Sequence, residues 1–205
     1  MGSNTTEQYF SATPASQDVR REFQFTIRDW PMTVTTSNGV FSSSKLDLGT
    51  QVLLKHAPAA PEDGNLLDLG CGWGPISLAL AKESPDAQVW SVDVNERALE
   101  LTALNAKANG CGNIRAVTAD QVPEDVQFDA IWSNPPIRVG KEVLHELLMT
   151  WLPRLKPQGR AYLVVQKNLG SDSLMKWLAQ QLGDAYAVSK YASSKGYRVI
   201  EVCKA

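Results

Sequence analysis

Two short stretches of this 205-residue sequence combine residue types and spacings that suit chemistry, and each has the pattern of a strand that ends in a polar loop. They are Leu66-Leu67-Asp68-Leu69-Gly70-Cys71-Gly72-Trp73-Gly74-Pro75 and Ile131-Trp132-Ser133-Asn134-Pro135-Pro136-Ile137. The glycines of the first let the backbone turn sharply and approach a small nucleoside cofactor. The second presents uncharged oxygen acceptors that could hold an exocyclic amine. Their order and separation favour transfer of a methyl group to a planar nitrogen.

The first stretch differs from a dinucleotide-binding loop. The motif Gly-x-Gly-x-x-Gly would need its third glycine where this chain has Pro75. Proline suits the first turn of a helix but not close packing of that helix on a strand, so nicotinamide binding is disfavoured. Asp68 would repel a pyrophosphate, and it fits a ligand that carries an ammonium group instead.

Two further carboxylates follow neighbouring strands. Asp93 ends the second predicted strand, where its oxygens can accept bonds from two ribose hydroxyls, and Asp120 follows the third, where it can accept from an adenine amine. Strand-end aspartates commonly cap helices or turns. With Asp68 they occupy three neighbouring strand ends, and ligands bind at the carboxyl edge of parallel sheets, so the set favours a cofactor site.

The second stretch forms a rigid acceptor loop. Pro135 and Pro136 fix the backbone and remove two N–H donors. The Asn134 side-chain oxygen and the Pro135 carbonyl could then accept both bonds from an amine and stabilise the positive charge that develops on it. Such a reaction needs no general base before attack, so His56 and His145 are interpreted as surface or packing residues. The alternative interpretation is an ordinary strand-ending turn.

Alternating strand and helix patterns must position these loops. Strands are predicted at Asn65–Leu69, Gln88–Asp93, Ile114–Thr118, Phe128–Ser133, Arg160–Val165, Ala185–Lys190 and Tyr197–Lys204. Helices are predicted at Pro75–Lys82, Glu96–Asn109, Lys141–Leu155 and Asp172–Leu182. The link between the last two strands is too short for a crossover helix, so they should pair antiparallel. The fold class is therefore α/β, a seven-stranded, doubly wound sheet that is mostly parallel and has an antiparallel last strand.

Residues 1–64 lack this alternation. Strands are predicted at Glu22–Arg28 and Met32–Thr36 with a turn near Asp29-Trp30-Pro31, followed by a loop at Ser42–Ser44 and a helix at Thr50–Lys55. This segment is too short for a core of its own. We therefore expect an accessory hairpin and lid on a domain formed by residues 65–205.

Composition limits the remaining possibilities. The net charge of -2 and the pI near 5.7 leave any nucleic-acid contact to local clusters. Cys71, Cys111 and Cys203 are scattered and lack metal-ligand spacing, which predicts reduced thiols and no metal site. The polar first residues lack an apolar signal core, and no window is apolar enough to span a bilayer. A cytoplasmic protein is expected.

Residues 65–205 resemble the class I S-adenosylmethionine-dependent methyltransferases, which have a Rossmann-like fold. The resemblance implies that S-adenosylmethionine is the cofactor. Its binding residues would be Asp68, Gly70, Gly72, Gly74, Asp93 and Asp120, with backbone or packing contacts from Cys71 and Val94 and a contact from Asn134. In that family the acidic residue after the second strand holds the ribose, and the glycine loop faces the methionine part.

Asn134-Pro135-Pro136-Ile137 is similar to the Asn/Asp-Pro-Pro-Tyr/Phe motif of amino methyltransferases. Ile137 replaces the aromatic residue that often stacks on a flipped base, so Phe41 or Tyr197 would have to supply that surface. Together with Leu46-Asp47-Leu48-Gly49-Thr50, the longer run through Lys141 resembles the catalytic half of the small-subunit ribosomal RNA guanine-N2 methyltransferases and their single-domain relatives.

That resemblance implies Asn134 and Pro135 as catalytic groups, and Phe41, Pro136, Ile137 and Arg138 as substrate contacts. It also implies an RNA partner. Because this sequence has one copy of a domain that the family typically has twice, RNA would contact small clusters: Arg20, Arg21, Arg28 and Lys45, or Arg138, Lys141 and Lys167. Two alternatives remain open, namely a protein glutamine or small-molecule amine as acceptor, and a non-catalytic, cofactor-binding partner subunit.

Overall fold

The computed structural model describes residues 17–42 and 45–205. Its strands are β1 (Arg20–Ile27), β2 (Trp30–Ser37), β3 (Asn65–Leu69), β4 (Gln88–Val92), β5 (Ile114–Val117), β6 (Phe128–Ser133), β7 (Leu155–Gln166), β8 (Tyr186–Ser194) and β9 (Tyr197–Lys204). Its helices are α1 (Leu48–His56), α2 (Pro75–Glu83), α3 (Glu96–Ala108), α4 (Lys141–Trp151) and α5 (Ser171–Leu182).

Seven of these strands form one sheet in the order β5-β4-β3-β6-β7-β9-β8. Strand β9 is antiparallel to both neighbours, and the other pairs are parallel. This confirms the predicted fold class. The chain reverses between β3 and β6, so the carboxyl ends of β3, β4 and β6 meet at the switch point where ligands bind in such sheets.

Both faces of the sheet are covered, because successive strand residues point to opposite sides. Leu66 packs in one buried cluster with side chains of α1, α2 and α3, whereas its neighbour Leu67 packs in another with α4 and α5. The near-continuous apolar runs of the central strands follow from this double coverage.

The hairpin of β1 and β2 packs on the first of these clusters. Ile27, Met32 and Val34 are almost fully buried there. The turn is Arg28-Asp29, with Trp30 and Pro31 inside β2, so the predicted turn was placed slightly too late. The prediction for Ser43 and Ser44 lies outside the described residues.

Three predicted boundaries differ from the structure by more than two residues. Strand β7 begins at Leu155 instead of Arg160, and α4 ends at Trp151, followed by a 3-10 turn over Leu152–Arg154 that contains Pro153. Proline is poorly tolerated in a helix interior, which explains the early end of α4. Strand β8 extends to Ser194 because its connection to β9 is a two-residue turn, Lys195-Gly196, with positive φ at both residues.

Within residues 17–42 and 45–205, no helix has the length and apolar character needed to cross a membrane. The same residues contain no group of three or more His, Cys, Asp or Glu side chains that could hold a metal ion.

Candidate active site

A cleft with an empty volume of about 730 Å³ opens at the carboxyl ends of β3, β4 and β6. Seven of the residues predicted to bind cofactor or substrate line it: Phe41, Gly70, Gly72, Asp93, Val94, Asn134 and Pro136. A smaller cavity of about 340 Å³ lies beside it and shares Phe41, Gly70, Gly72 and Asn134 with it. Cys71 lines this second cavity.

The Asp93 carboxylate joins the glycine loop to the start of α3. Its Oδ2 accepts the Gly72 N–H at 2.9 Å, and its Oδ1 accepts the Asn95 N–H at 2.9 Å. Burial raises the pKa of Asp93 above its usual range. Each oxygen can accept a second bond, so the carboxylate can still receive two hydroxyl donors from the cleft.

The glycine loop folds back on β4. The N–H groups of Gly70 and Cys71 both donate to the Val92 carbonyl, at 2.8 and 3.1 Å. Gly72 has φ of 57°, a left-handed conformation that side chains disfavour, and it has open space above its Cα. The backbone therefore presents a bare surface to the cleft.

Gly74 has a different role from Gly70 and Gly72. A Cβ there would lie 3.0 Å from the Thr102 hydroxyl oxygen of α3, so Gly74 allows α3 to pack against the start of α2. The same hydroxyl donates to the Gly72 carbonyl at 2.9 Å. The structure gives Gly74 a packing role, and its predicted contact with the cofactor stays a prediction.

Asp68 lies behind the loop with no exposed surface. Its Oδ2 accepts the backbone N–H of Ser77 at 2.8 Å and the Ser77 hydroxyl at 2.5 Å, which fixes the first turn of α2. Its Oδ1 has no partner among the described residues, and burial raises the pKa of Asp68 to about 7. A carboxylate oxygen without a partner would suit a cationic donor, but Asp68 does not line either cavity, so the predicted ammonium contact stays a prediction.

The far end of the cleft is more apolar than the sequence indicated. Val94 is 42% exposed at its edge, and Asp120 is exposed beside Ala119, which lines the cleft. Leu147 and Trp151 of α4 complete this wall. The sequence did not identify these two residues, because apolar residues on an amphipathic helix are expected to lie in the core. Their one-turn spacing near the end of α4 was the pattern that could have indicated a cleft wall.

Asn134 presents its amide to the cleft in a fixed orientation. Its Nδ2 donates to Asp47 Oδ2 at 2.8 Å and to the Thr50 hydroxyl oxygen at 3.1 Å. Both amide hydrogens are thereby used. The Oδ1 accepts no bond from the described residues, so this acceptor is available to a ligand.

The loop after Asn134 is tightly turned. The Pro135 carbonyl accepts the Ile137 N–H at 2.9 Å, and Pro136 has φ of -75° and ψ of 77°, an inverse γ-turn. One of the two acceptor positions of the Pro135 oxygen is therefore used within the loop. Ile137 packs against the core cluster of α4 and α5, and the side chain of Arg138 lies outside the described part of the chain.

Both aromatic residues suggested for stacking lie near Asn134. Phe41 is 42% exposed and lines both cavities together with Asn134. Tyr197 lies against α1: its Cε1 is 3.0 Å, and Asn134 Oδ1 is 3.2 Å, from the point where a Cβ on Gly49 would stand. Either ring could therefore contact a ligand held by Asn134.

The segment that carries Phe41 across the cleft is tied down at three points. The Asn95 side chain donates to the Gly39 carbonyl at 2.9 Å, the Arg97 guanidinium to the Asn38 carbonyl at 2.7 Å, and the Trp73 indole to the Ser42 carbonyl at 3.2 Å. This segment therefore forms a fixed part of the cleft wall.

Two arginines predicted to contact RNA have structural partners instead. Arg20 pairs with Asp18 and with Glu100 of α3. Arg28 is mostly buried, pairs with Glu83 at 2.6 Å and lies over the Trp132 ring at 5.0 Å. The RNA contact of Arg28 stays a prediction, and its charge already has a partner far away in sequence.

Comparison with known proteins identifies the family. The family model described as methyltransferase small domain matches residues 31–201. The chain belongs to the methyltransferase small-domain family. This confirms the predicted enzyme class, because the matched range contains the whole glycine loop and the acceptor loop.

Related sequences cover this methyltransferase to different extents. A Bacillus subtilis (strain 168) protein, YbxB, described as uncharacterized, is 35% identical over 201 residues and matches 97% of this chain and 98% of its own length. The ribosomal RNA small subunit methyltransferase C of Aeromonas hydrophila is 39% identical over 153 residues, which cover 72% of this chain. That match is only 44% of the Aeromonas protein, so the methyltransferase spans less than half the length of this relative.

A solved structure shares the fold over nearly the whole of this chain. The T. thermophilus 16S rRNA N2 G1207 methyltransferase, in complex with AdoMet and guanosine, superposes with a TM-score of 0.78 at 26% identity. The alignment covers 94% of this methyltransferase and 52% of the T. thermophilus chain. The cofactor in that complex is the one predicted from the present sequence.

Proposed function

We propose that this methyltransferase transfers a methyl group from S-adenosylmethionine to the exocyclic amine of guanine in ribosomal RNA. The observation that carries the proposal is the Asn134 amide at the edge of both cavities, whose two N–H groups are bound inside the protein and whose oxygen accepts no bond from the described residues. Such an acceptor suits a ligand that donates a hydrogen bond, and the N–H of an amine is one such donor. The ribosomal RNA methyltransferases among the relatives support the choice of base and of RNA.

The larger cleft would hold the cofactor. Asp93 would accept the two ribose hydroxyls with the lone pairs left by Gly72 and Asn95, and Val94, Leu147 and Trp151 would enclose the adenine. S-adenosylmethionine supplies an electrophilic methyl group on a sulfonium. The bare backbone at Gly70 and Gly72 allows close approach of that part of the ligand.

Asn134 would act on the second substrate. The amine of guanine is conjugated to the base, so its lone pair is a poor nucleophile. By accepting an N–H bond, Asn134 Oδ1 orients the amine and stabilises the positive charge that grows on nitrogen during attack. As the new N–C bond forms, the S–C bond of the sulfonium would break and S-adenosylhomocysteine would leave as a neutral thioether. The proton on nitrogen becomes acidic only at this point and would pass to water, which agrees with a site built from amide and backbone oxygens.

RNA would approach over two lysines beside the acceptor. Lys45 lies two residues before Asp47, and Lys167 donates its backbone N–H to the Gly196 carbonyl, next to Tyr197. Both side chains are exposed, and neither forms an ion pair with another described residue. These two positions are better placed to meet phosphates than the paired Arg20 and Arg28.

The test is methyl transfer from tritiated S-adenosylmethionine to undermethylated small ribosomal subunits, free ribosomal RNA, tRNA and total protein, followed by nucleoside and amino-acid analysis. We expect label in N2-methylguanosine of ribosomal RNA, and we expect Asn134→Ala to abolish it. Label in protein glutamine or in a small molecule would replace the proposed substrate. Equal transfer by Asn134→Ala would remove the proposed acceptor site.

A further inference from the structure

We infer that Asp47 and Thr50 are positioning residues that hold the Asn134 amide in the one orientation that presents its oxygen to the substrate amine. The inference rests on the proposed function. It assigns to the first turn of α1 a role in the reaction, although that turn is 84 or more residues away from the acceptor loop in sequence.

The chemistry of the contacts fixes which end of the amide faces inward. A carboxylate has only acceptors, so the group 2.8 Å from Asp47 Oδ2 must be the NH₂ of Asn134. The two ends of an asparagine amide are almost the same size, and shape alone does not choose between them. Without Asp47, a half-turn of the amide would point NH₂ at the substrate, where donor would face donor.

Thr50 completes the orientation. Its hydroxyl oxygen lies 3.1 Å from the same Nδ2, so both amide hydrogens have a partner at the start of α1. Thr50 is almost fully buried, which limits competition from water. Asp47 also caps α1, because its Oδ2 accepts the Thr50 backbone N–H at 3.1 Å. The helix start and the acceptor amide therefore share one anchor.

Gly49 leaves the room that this arrangement needs. A Cβ there would stand 2.9 Å from Asp47 Oδ2 and 3.2 Å from Asn134 Oδ1. The Asp47 carboxylate, the Asn134 oxygen and the Tyr197 ring therefore all lie close around Gly49, which has no side chain. A glycine in the first turn of a helix is unfavourable by itself. Its presence here agrees with a need to keep this space free of a side chain.

The first experiment separates positioning from helix capping. Asp47→Ser keeps a side-chain oxygen that can cap α1, but it is too short to reach Asn134. We expect wild-type thermal stability and cofactor affinity in Asp47→Ser, with kcat for RNA methylation at least tenfold lower. Thr50→Val removes the second contact in an isosteric side chain, and kcat should fall severalfold. Unchanged kcat in both variants would overturn the inference.

The second experiment is a swap. Asn134→Asp alone places two carboxylates in contact and should lose almost all activity. In the double variant Asp47→Asn/Asn134→Asp, the amide introduced at 47 has to turn so that its oxygen still accepts the Thr50 N–H and its NH₂ donates to the carboxylate introduced at 134. Activity at least tenfold above that of Asn134→Asp is expected. If the effects of the two single changes simply multiply, the residues do not act through each other and the inference fails.

The two proposals fail separately. Asn134→Ala tests the function, because full activity in this variant would remove the acceptor site itself. Loss of activity in Asn134→Ala together with normal kcat in Asp47→Ser would leave the function standing and overturn the positioning role. Cofactor titration and thermal melting of every variant identify folding defects, and the swap remains informative when a single variant is destabilised.

Discussion

Asn105 of α3 binds both backbone groups of Thr35 in β2: it accepts the N–H at 2.6 Å and donates to the carbonyl at 2.9 Å. Asn109, one turn later, binds both backbone groups of Thr33 in the same way, at 3.2 and 2.8 Å. Four helical residues rise about 6 Å, close to the roughly 6.6 Å of two strand residues. The two asparagine side chains therefore bind the backbone of β2 at the spacing that a neighbouring strand would use.

Asn105→Ala should lower the free energy of unfolding by roughly 1–3 kcal/mol, because it leaves the Thr35 backbone without its partner. Asn105 is fully buried and also donates to the Trp73 carbonyl at 2.8 Å. Urea unfolding measures the change. Lys107→Ala, an exposed change on the same helix, serves as the control and should have little effect. Equal destabilisation in both variants would contradict the pairing.

Gly49→Ala should preserve the fold and impair catalysis. Alanine is favoured over glycine in a helix by about 1 kcal/mol, so α1 itself should tolerate the change. The new Cβ would crowd the Asp47 carboxylate and Asn134 Oδ1, and kcat should fall about tenfold or more. Steady-state kinetics and thermal melting test this. Gly112→Ala, where a Cβ meets open space, is the matched control.

Asp93→Ala should weaken cofactor binding by roughly 1.5–3 kcal/mol, the range for hydrogen bonds to a charged group. Calorimetric titration of S-adenosylmethionine measures it directly. The exposed Asp86 offers a control of the same residue type, and Asp86→Ala should bind normally. Normal affinity in a folded Asp93→Ala variant would count against the ribose contact.

Stability should decrease as the pH rises from about 4 to about 7. Asp68 has a pKa of about 7 in the folded protein against 3.8 for the unfolded reference, so the native state binds the extra proton between these values. The raised pKa of the buried Asp93 acts in the same direction. Asp68→Asn should therefore flatten the pH dependence of Tm without abolishing it. A slope identical to wild type would show that Asp68 does not hold this proton.

Replacing Lys45 and Lys167 by Gln should reduce RNA affinity at low salt. On a single strand, each phosphate that a lysine neutralises contributes about 0.7 to the slope of log K against log salt concentration. The slope for the double variant should therefore be shallower by about 1.4. Filter binding across a salt series gives the slope. Lys107→Gln, at the far end of α3 from the cleft, should leave it unchanged, and S-adenosylmethionine affinity should be unchanged in both variants.

The parts of the site that sequence could predict depend on local pattern. Asp93 and Asn134 each end a strand whose apolar run is readable from neighbouring residues, and parallel topology then brings their loops together. The partners of Arg28 and the Asp47 contact with Asn134 join residues from separate elements, and no local pattern encodes such pairs.

Packing decides the remaining differences. Gly74 looked equivalent to Gly70 and Gly72 in sequence, but it lies against Thr102 of α3. Asp68 looked available to a ligand, but the folded chain covers it completely. Gly74 is in the predicted loop and Asp68 is in the predicted strand, and only the neighbouring helices determine which atoms each of them contacts.

The contact between Asp47 and Asn134 also constrains how the two positions can diverge during evolution. An Asn134→Asp change on its own would place two carboxylates in contact. It would therefore be tolerated only after the residue at position 47 had become a neutral donor. Residues at the two positions should therefore change together across the family. Lineages whose acceptor loop begins with aspartate should lack an acidic residue at position 47, and a collection of related sequences is enough to examine this.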